Sequence, residues 1–325
     1  MKVLLTGPDG VLGHNLVRTL LDKSYEVNVF IEEGRSTPFL DDLPLRKFYG
    51  NILNNKQVEA AMEGCDYVIH AAAKTDTWPC RHESYWKVNV EGTAVVLDAA
   101  RKLEVKRFIH VGTANSFGSG CSEKPGTEES GYCADRYGLD YISSKYRAHL
   151  MVLEEAKKGL NAIIVNPTFM LGPFDVKPSS GAMLLAVKAG VPGYPAGGRN
   201  FVYVKDVAIA ITNALEKGRA GESYLLGNQN LSYKEIFALM AAAVGVKAPK
   251  MKMSNFITLL YGAVMTVLAR MFSFTPRVNY RMSRMSTEDH FYSAQKAVAE
   301  LEMPQTPITV ALDEAVTWFR ANGYM

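Results

Sequence analysis

Thr6-Gly7-Pro8-Asp9-Gly10-Val11-Leu12-Gly13 stands between an apolar run at 3–5 and an amphipathic stretch at 11–21. That setting decides how it reads. A glycine-rich turn that leaves a strand and opens a helix can hold a dinucleotide pyrophosphate. One glycine makes the tight turn, a second lets the backbone approach the phosphates, and a third lets helix and sheet pack closely. Gly7, Gly10 and Gly13 take those places, with Asp9 inside the loop. Val11 and Leu12 open the helix, where free N–H groups and the positive dipole end face an anion.

Outward from this turn, apolar runs at 3–5, 26–31, 47–49, 67–70, 108–111 and 162–165 read as strands. Amphipathic stretches at 11–21, 54–62, 88–103 and 141–158 read as helices. β-branched runs separated by helix-length segments predict crossover units and a parallel sheet, and right-handed crossovers place helices on both faces. After Asn166-Pro167 the pattern loosens. Proline, glycine and serine cluster as far as Gly198 around one short helix at 183–189. Strand character returns at 201–204 and 224–226, and the chain from Ser232 is mostly helical. The expected class is α/β: a doubly wound parallel sheet of Rossmann type with a smaller, mainly helical C-terminal substrate lobe. The dinucleotide-binding domain is expected over 1–166 with returning segments near 201–228, and the substrate lobe over 167–200 and 229–325.

Composition narrows the function classes. The chain has 325 residues, is 48% hydrophobic and 21% charged, and carries a formal net charge of +3. This excludes a disordered or collagen-like chain and lacks the polycationic signature of a nucleic-acid binder. Cys65, Cys80, Cys121 and Cys133 show no C-x-x-C spacing. They read as reduced thiols rather than a zinc site or disulfide frame, so no metal is expected. Met1-Lys2 runs straight into Val3-Leu4-Leu5, too short an apolar run for a secretory leader, which points to the cytoplasm.

Two further features carry chemistry. Glu32 ends the second strand, where a carboxylate accepts hydrogen bonds from the adenosine ribose and repels a 2′-phosphate. That favours NAD. Arg35 follows closely and would pair with such a phosphate, which keeps NADP open. Tyr141-Ile142-Ser143-Ser144-Lys145 is Y-x-x-x-K, with phenol and ammonium on one helix face. A lysine beside a tyrosine is expected to lower the phenol's pKa and make it an acid/base. With 16 tyrosines in the chain, about one such pair arises by chance, and a second exists at Tyr292/Lys296. Position favours Tyr141, which opens a long helix after the fifth strand. Tyr292/Lys296 reads as surface helix chemistry.

The G-x-x-G-x-x-G turn, followed in order by these elements, resembles the extended branch of the short-chain dehydrogenase/reductase superfamily, the NAD-dependent epimerase/dehydratase family. Val111-Gly112-Thr113-Ala114-Asn115-Ser116-Phe117-Gly118 resembles the family's Ser-Ser-x-x-x-Tyr-Gly, with Thr113 at the catalytic Ser/Thr position. The resemblance implies Thr113, Tyr141 and Lys145 as the catalytic set, with Lys145 also binding the nicotinamide ribose. It further implies cofactor contacts at Gly112, Asn51-Ile52, Ala71-Ala72-Ala73, Pro167 and Thr168. Asn51 stands where the family has an acid. His70 reads as a packed strand-end residue and Asn89 as a tie between helix and sheet.

Arg199-Asn200-Phe201-Val202-Tyr203-Val204-Lys205-Asp206 resembles a sugar-nucleotide epimerase segment whose arginine holds a diphosphate. A solvated hairpin charge is the equal alternative for Arg199. Other stretches, including Gly221–Gly227 and Trp318–Tyr324, resemble hopanoid-associated sugar epimerases and dihydroflavonol-4-reductase-like proteins. Thr113, Ala114, Asn115, Asn166 and Arg199 are the expected substrate contacts. The implied function is an NAD(P)-dependent oxidoreductase or epimerase acting on a secondary alcohol or ketone of a small molecule, with a nucleotide sugar favoured. A dihydroflavonol-reductase-like or 3β-hydroxysteroid-dehydrogenase-like ketone reductase is the alternative, and a non-catalytic dinucleotide sensor is the rival from another class. The resemblance also implies a homodimer through the helices at 88–103 and 141–158. The apolar stretch 256–272 reads as a buried lobe helix, with an interfacial helix at an anionic membrane surface as the alternative.

Overall fold

A computed structural model describes residues 1–325. The first half runs β1 (Lys2–Thr6), α1 (Val11–Asp22), β2 (Glu26–Glu32), β3 (Leu45–Gly50), α2 (Asn55–Met62), β4 (Tyr67–His70), α3 (Glu83–Trp86), α4 (Gly92–Lys102), β5 (Arg107–Val111), α5 (Asp140–Lys157) and β6 (Ala162–Pro167). The second half runs β7 (Phe169–Leu171), α6 (Gly181–Ala189), β8 (Gly193–Tyr194), β9 (Gly198–Tyr203), α7 (Val204–Lys217), β10 (Ser223–Leu226), β11 (Gln229–Ser232) and α8 (Tyr233–Val244). It ends with β12 (Met251–Lys252), α9 (Asn255–Met271), α10 (Tyr280–Ser286), β13 (Asp289–His290), α11 (Gln295–Leu301) and α12 (Ile308–Ala321).

Seven strands form one all-parallel sheet in the order β10-β6-β5-β4-β1-β2-β3. The order reverses between β1 and β4, and ligands of open α/β sheets bind in the crevice beyond the strand ends at such a point. Side-chain alternation divides the core between the two faces. Val3, Leu5, Val29, Ile31, Ile109 and Val165 join the face that carries α1 and α7. Leu4, Phe30, Val68, Phe108 and Ile164 join the face under α2, α4 and α5.

Of the two strands expected to return to this domain, only 224–226 does so, as β10 beside β6. Phe201 and Val202 lie in β9, which pairs with β7, β11 and β13 in a second, smaller sheet. It is the next helix, α7, that returns and packs on α1. Five further helices complete the C-terminal lobe. One of them, α8, starts at a reciprocal cap between Ser232 and Glu235 and ends at Gly245 in the left-handed region. Such a cap contributes about 1 kcal/mol.

The expectation for 256–272 is corrected. In α9 only Thr258, Gly262 and Ala269 are buried, while Phe256 is 74% exposed and Val267 53% exposed. The helix turns its small residues inward because α10 passes so close: a Cβ on Gly262 would lie 2.1 Å from the Ser283 hydroxyl. No helix is long and apolar enough to cross a membrane.

Candidate active site

The glycine turn is built for close approach. Gly7 sits at φ +71°, and a Cβ there would lie 2.7 Å from the Ala72 backbone. A Cβ on Gly13 would lie 2.2 Å from the Gly7 carbonyl oxygen, so the helix packs on the turn itself. Gly10 is different. Its Cβ would meet nothing nearer than 3.9 Å, so it borders open space. No side chain caps α1, and its first turn contains no acid. The N–H groups at Val11, Leu12 and Gly13 therefore face that space with the helix dipole behind them. An open cradle with uncapped donors fits a dinucleotide pyrophosphate.

The wall beside the turn is fixed by a hydrogen-bonded chain. The Ala72 N–H donates to Thr6 Oγ1 (3.1 Å), and Thr6 Oγ1 lies 2.8 Å from His70 Nδ1. His70 Nε2 lies 3.0 Å from Thr93 Oγ1, which donates to the Asn89 carbonyl. The network assigns the proton to Nε2. Burial holds the His70 pKa down at about 3, so the imidazole is a neutral strut and Ala71–Ala73 are kept beside the turn. Asn89 sits in a π-helical turn over Lys87–Glu91. It bonds both backbone groups of Lys74 and donates to Ser144 Oγ, tying α5 to the end of β4.

Tyr141 lies in the first turn of α5, with Lys145 one turn on. Thr113 follows β5, and its Oγ1 accepts from the backbone and side-chain nitrogens of Asn115 (both 3.3 Å). The Thr113 hydroxyl interacts with the Tyr141 phenol and favours its ionised form, but burial outweighs this and raises the Tyr141 pKa. The fall expected from Lys145 is therefore not found. Lys145 is 3% exposed, and its ammonium donates to the Val111 carbonyl at 2.6 Å. Burial pushes its own pKa down to about 7, so the fold disfavours its charge.

Beneath this trio is a polar layer that sequence reading missed. His70 ends β4, and His110 and Asn166 lie one residue before the ends of β5 and β6, all on the α5 side of the sheet and all fully buried. His149, one turn beyond Lys145, joins them, with Nε2 3.3 Å from Ser223 Oγ. Neither ring nitrogen of His110 has a partner, nor does Asn166 Oδ1. Burial, with the Lys145 charge as a further cause, lowers the pKa of His110 and brings that of His149 to about 4. The signal was present in the sequence as polar residues at one parity near the ends of adjacent strands.

Several expected contacts are relocated. Asn166 is not at the cleft: it lies under Gly112, whose Cβ would meet Asn166 Oδ1 at 2.3 Å. That explains the glycine where the resembled pattern has serine. Ala114 and Phe117 pack with Leu225 and Tyr292 in a small core, while the Asn115 side chain donates to the Thr113 hydroxyl. Tyr292 is therefore a buried core residue before α11, not surface helix chemistry, and Lys296 pairs with Glu222 (2.6 Å). Glu32 and Arg35 pair with each other (2.7 Å). The Asn51 side chain accepts from Leu53 N–H, closing the turn after β3. Ile52 fits against Gly92. Pro167 ends β6, and the Thr168 hydroxyl donates to Asn200. Arg199 is not a solvated hairpin charge. It is half-buried, donates to the Tyr233 hydroxyl (2.6 Å), lies over the Phe169 ring and has no carboxylate partner. All four cysteines are free thiols.

The chain is similar to known proteins over nearly its whole length. A Synechocystis sp. protein provisionally named a dihydroflavonol 4-reductase is 31% identical over 99% of this chain and 95% of its own length. Sterol demethylase protein B of Methylococcus capsulatus is 29% identical over 99% of each chain. The crystal structure of gox2253 superposes with a TM-score of 0.87 at 32% identity, covering 99% of each chain. The sequence profile described as the NAD dependent epimerase/dehydratase family matches residues 3–227. The chain is an enzyme of that kind: it belongs to the NAD dependent epimerase/dehydratase family, within the extended short-chain dehydrogenases/reductases.

Proposed function

We propose that this enzyme interconverts a secondary alcohol and a ketone on a largely apolar substrate, with NAD as the cofactor. The observation that carries the reading is the meeting of the Tyr141 phenol and the Thr113 hydroxyl, with Lys145 one turn behind. Bound dinucleotide supplies the hydride acceptor or donor. Its pyrophosphate would be held by the N–H groups at Gly10–Gly13, and its adenosine ribose by Glu32. Ala71–Ala73, Gly112, Pro167 and Thr168 would line the rest of its path. Arg35 is engaged by Glu32 and so is not free for a 2′-phosphate, which favours NAD over NADP.

Thr113 holds the substrate oxygen by a hydrogen bond. Tyr141 gives that oxygen a proton in the reductive direction and takes it back in the oxidative one. Burial keeps the phenol in its protonated form, ready to exchange that proton with the substrate oxygen. Lys145 positions the nicotinamide ribose from its anchor on Val111. The names of the two full-length relatives, a dihydroflavonol reductase and a sterol demethylase protein, support an apolar substrate. So does the apolar packing of Cys80, Leu139, Ile142, Met282 and Met285 around Tyr141.

A nucleotide sugar is the second reading. It is favoured by Arg199, a half-buried guanidinium without a carboxylate partner, suited to an anionic substrate group. Assembly as a homodimer through the outer faces of α4 and α5, and a cytoplasmic location, complete the proposal.

The test pairs substrates with a variant. Wild-type protein is incubated with steroid or flavonoid ketones and with nucleotide sugars, following nicotinamide absorbance and product stereochemistry. Net absorbance change with the ketones supports the proposal, and inversion of a sugar centre without it supports the second reading. Tyr141→Phe is expected to cost about 10²–10⁴ in kcat while dinucleotide affinity stays within about twofold. Unchanged turnover would remove Tyr141 from its role.

A further inference from the structure

Helix α9 is built inside out. Its small residues Thr258, Gly262 and Ala269 face the protein, and its large apolar residues face away from it. Phe256, Leu260, Val264, Val267 and Met271 form one exposed stripe at helical spacing, with Phe272 continuing it. Seventeen residues make a stripe about 25 Å long. A contiguous exposed apolar surface of that extent marks an interaction site.

The surrounding charge says what covers it. Between Glu235 and Glu288 the chain has seven Lys or Arg and no Asp or Glu. Arg281 and Arg284 are held by backbone carbonyls of the segment at 136–138. The other five, Lys247, Lys250, Lys252, Arg270 and Arg277, are exposed. None of the five enters an ion pair. They bracket the stripe, three before its first turn and two at or beyond its last. A second copy of the chain docking stripe to stripe would bring two such cation sets together without a counter-charge. An apolar stripe rimmed by cations instead matches acyl chains lying beneath anionic headgroups.

We propose that α9 docks in the plane of an anionic lipid bilayer, its apolar stripe among the acyl chains and the five cations at the headgroups. Behind the docked helix lies α10, whose Met282 and Met285 pack on the Tyr137–Ile142 segment that includes Tyr141. Docking thus sets the reacting groups one layer from the lipid surface. The inference concerns binding alone and holds whichever substrate reading is right.

The test is co-sedimentation of the full chain with vesicles of phosphatidylcholine, with and without roughly 30 mol% phosphatidylglycerol, alongside light scattering for oligomeric state. Binding is expected on the anionic vesicles, weaker by about tenfold or more on neutral ones, and falling with added salt. Each cation near the surface contributes about fivefold to partitioning. Lys250→Glu/Lys252→Glu/Arg270→Glu should therefore abolish binding, as should Phe256→Ser/Leu260→Ser/Val264→Ser. Both sets lie on the surface, so thermal melting and turnover on soluble substrate report that these variants remain folded. No binding to anionic vesicles at low salt would overturn the proposal. So would a serine variant that splits a solution dimer into monomers while leaving vesicle binding unchanged.

Discussion

Lys145 is a buried amine whose charge the fold disfavours, and the size of that penalty can be read out by substitution. Its pKa falls from 10.5 to about 7, with burial as the cause. For a base held low in the fold, the associated stability is fully present above about 10.5. It is lost as pH falls towards about 7 and changes little below that. At about 1.4 kcal/mol per pH unit, the penalty on the folded state is about 4 kcal/mol at pH 7 and about 2 kcal/mol at pH 9. Lys145→Met keeps the volume and removes the charge. It also strips the Val111 carbonyl of its 2.6 Å donor, at a cost of about 1–3 kcal/mol.

The variant should therefore be more stable than wild type by about 1–3 kcal/mol at pH 7 and close to wild type at pH 9. Urea denaturation followed by circular dichroism at the two pH values, with no dinucleotide added, gives both numbers. The decisive quantity is the change in the difference, about 2 kcal/mol, because the carbonyl cost is the same at both pH values. Tyr141 titrates above this range and the buried histidines below it, so neither enters. A stability difference that stays flat between pH 7 and pH 9 would mean that the lysine keeps its charge in the fold. The same variant should lose most of its turnover, since the group that destabilises the fold is the one proposed to position the ribose.

The glycine turn separates folding from binding. Gly10→Ala points into open space and should shift stability by no more than about 0.5 kcal/mol while weakening dinucleotide affinity at least about tenfold by titration calorimetry. Gly7→Ala, at φ +71° and 2.7 Å from Ala72, should cost about 2–3 kcal/mol in denaturant melts. Gly112→Ala should destabilise by about 1–3 kcal/mol through Asn166 Oδ1. The double-mutant cycle with Asn166→Ala should recover most of that, and simple additivity would refute the contact. Glu32→Ala frees Arg35 and should raise kcat/KM with NADP relative to NAD by about tenfold. Adding Arg35→Ala should cancel the gain, and an unchanged cofactor ratio would place the discriminating contact elsewhere.

The readable parts of this chain are those whose signals are local. The glycine turn, the β-branched runs and the four helices between them each carry their cause within a dozen residues, as does the placing of Tyr141 and Lys145 on one helix face, whereas Thr113 was pointed to only by the family resemblance. The lobe was harder because β7, β8, β12 and β13 have two or three residues each and exist only through distant partners. Residue 201 went to the wrong sheet for that reason: its strand-forming character was legible, but its partners at Phe169 and Gln229 were not. In α9 apolar content was visible, but the direction it faces was not. The telling residues there were the small ones at 258, 262 and 269, which counting hydrophobic residues passes over.

The missed polar layer follows a rule that single residues do not reveal. Along β4, β5 and β6 the positions facing α4 and α5 begin apolar, with Val68, Phe108 and Ala162 in one cluster. Two residues on from Val68 and Phe108, and four from Ala162, the same face becomes His70, His110 and Asn166. Stability and chemistry thus occupy opposite ends of the same strands. A buried histidine with neither nitrogen paired is costly wherever it lies, and here it lies under the one lysine whose charge the fold also resists. The neutral imidazoles give Lys145 no anionic partner to offset its burial. Burial is what lowers the Lys145 pKa, and the layer that buries it from below is made of side chains that do not reach the cleft.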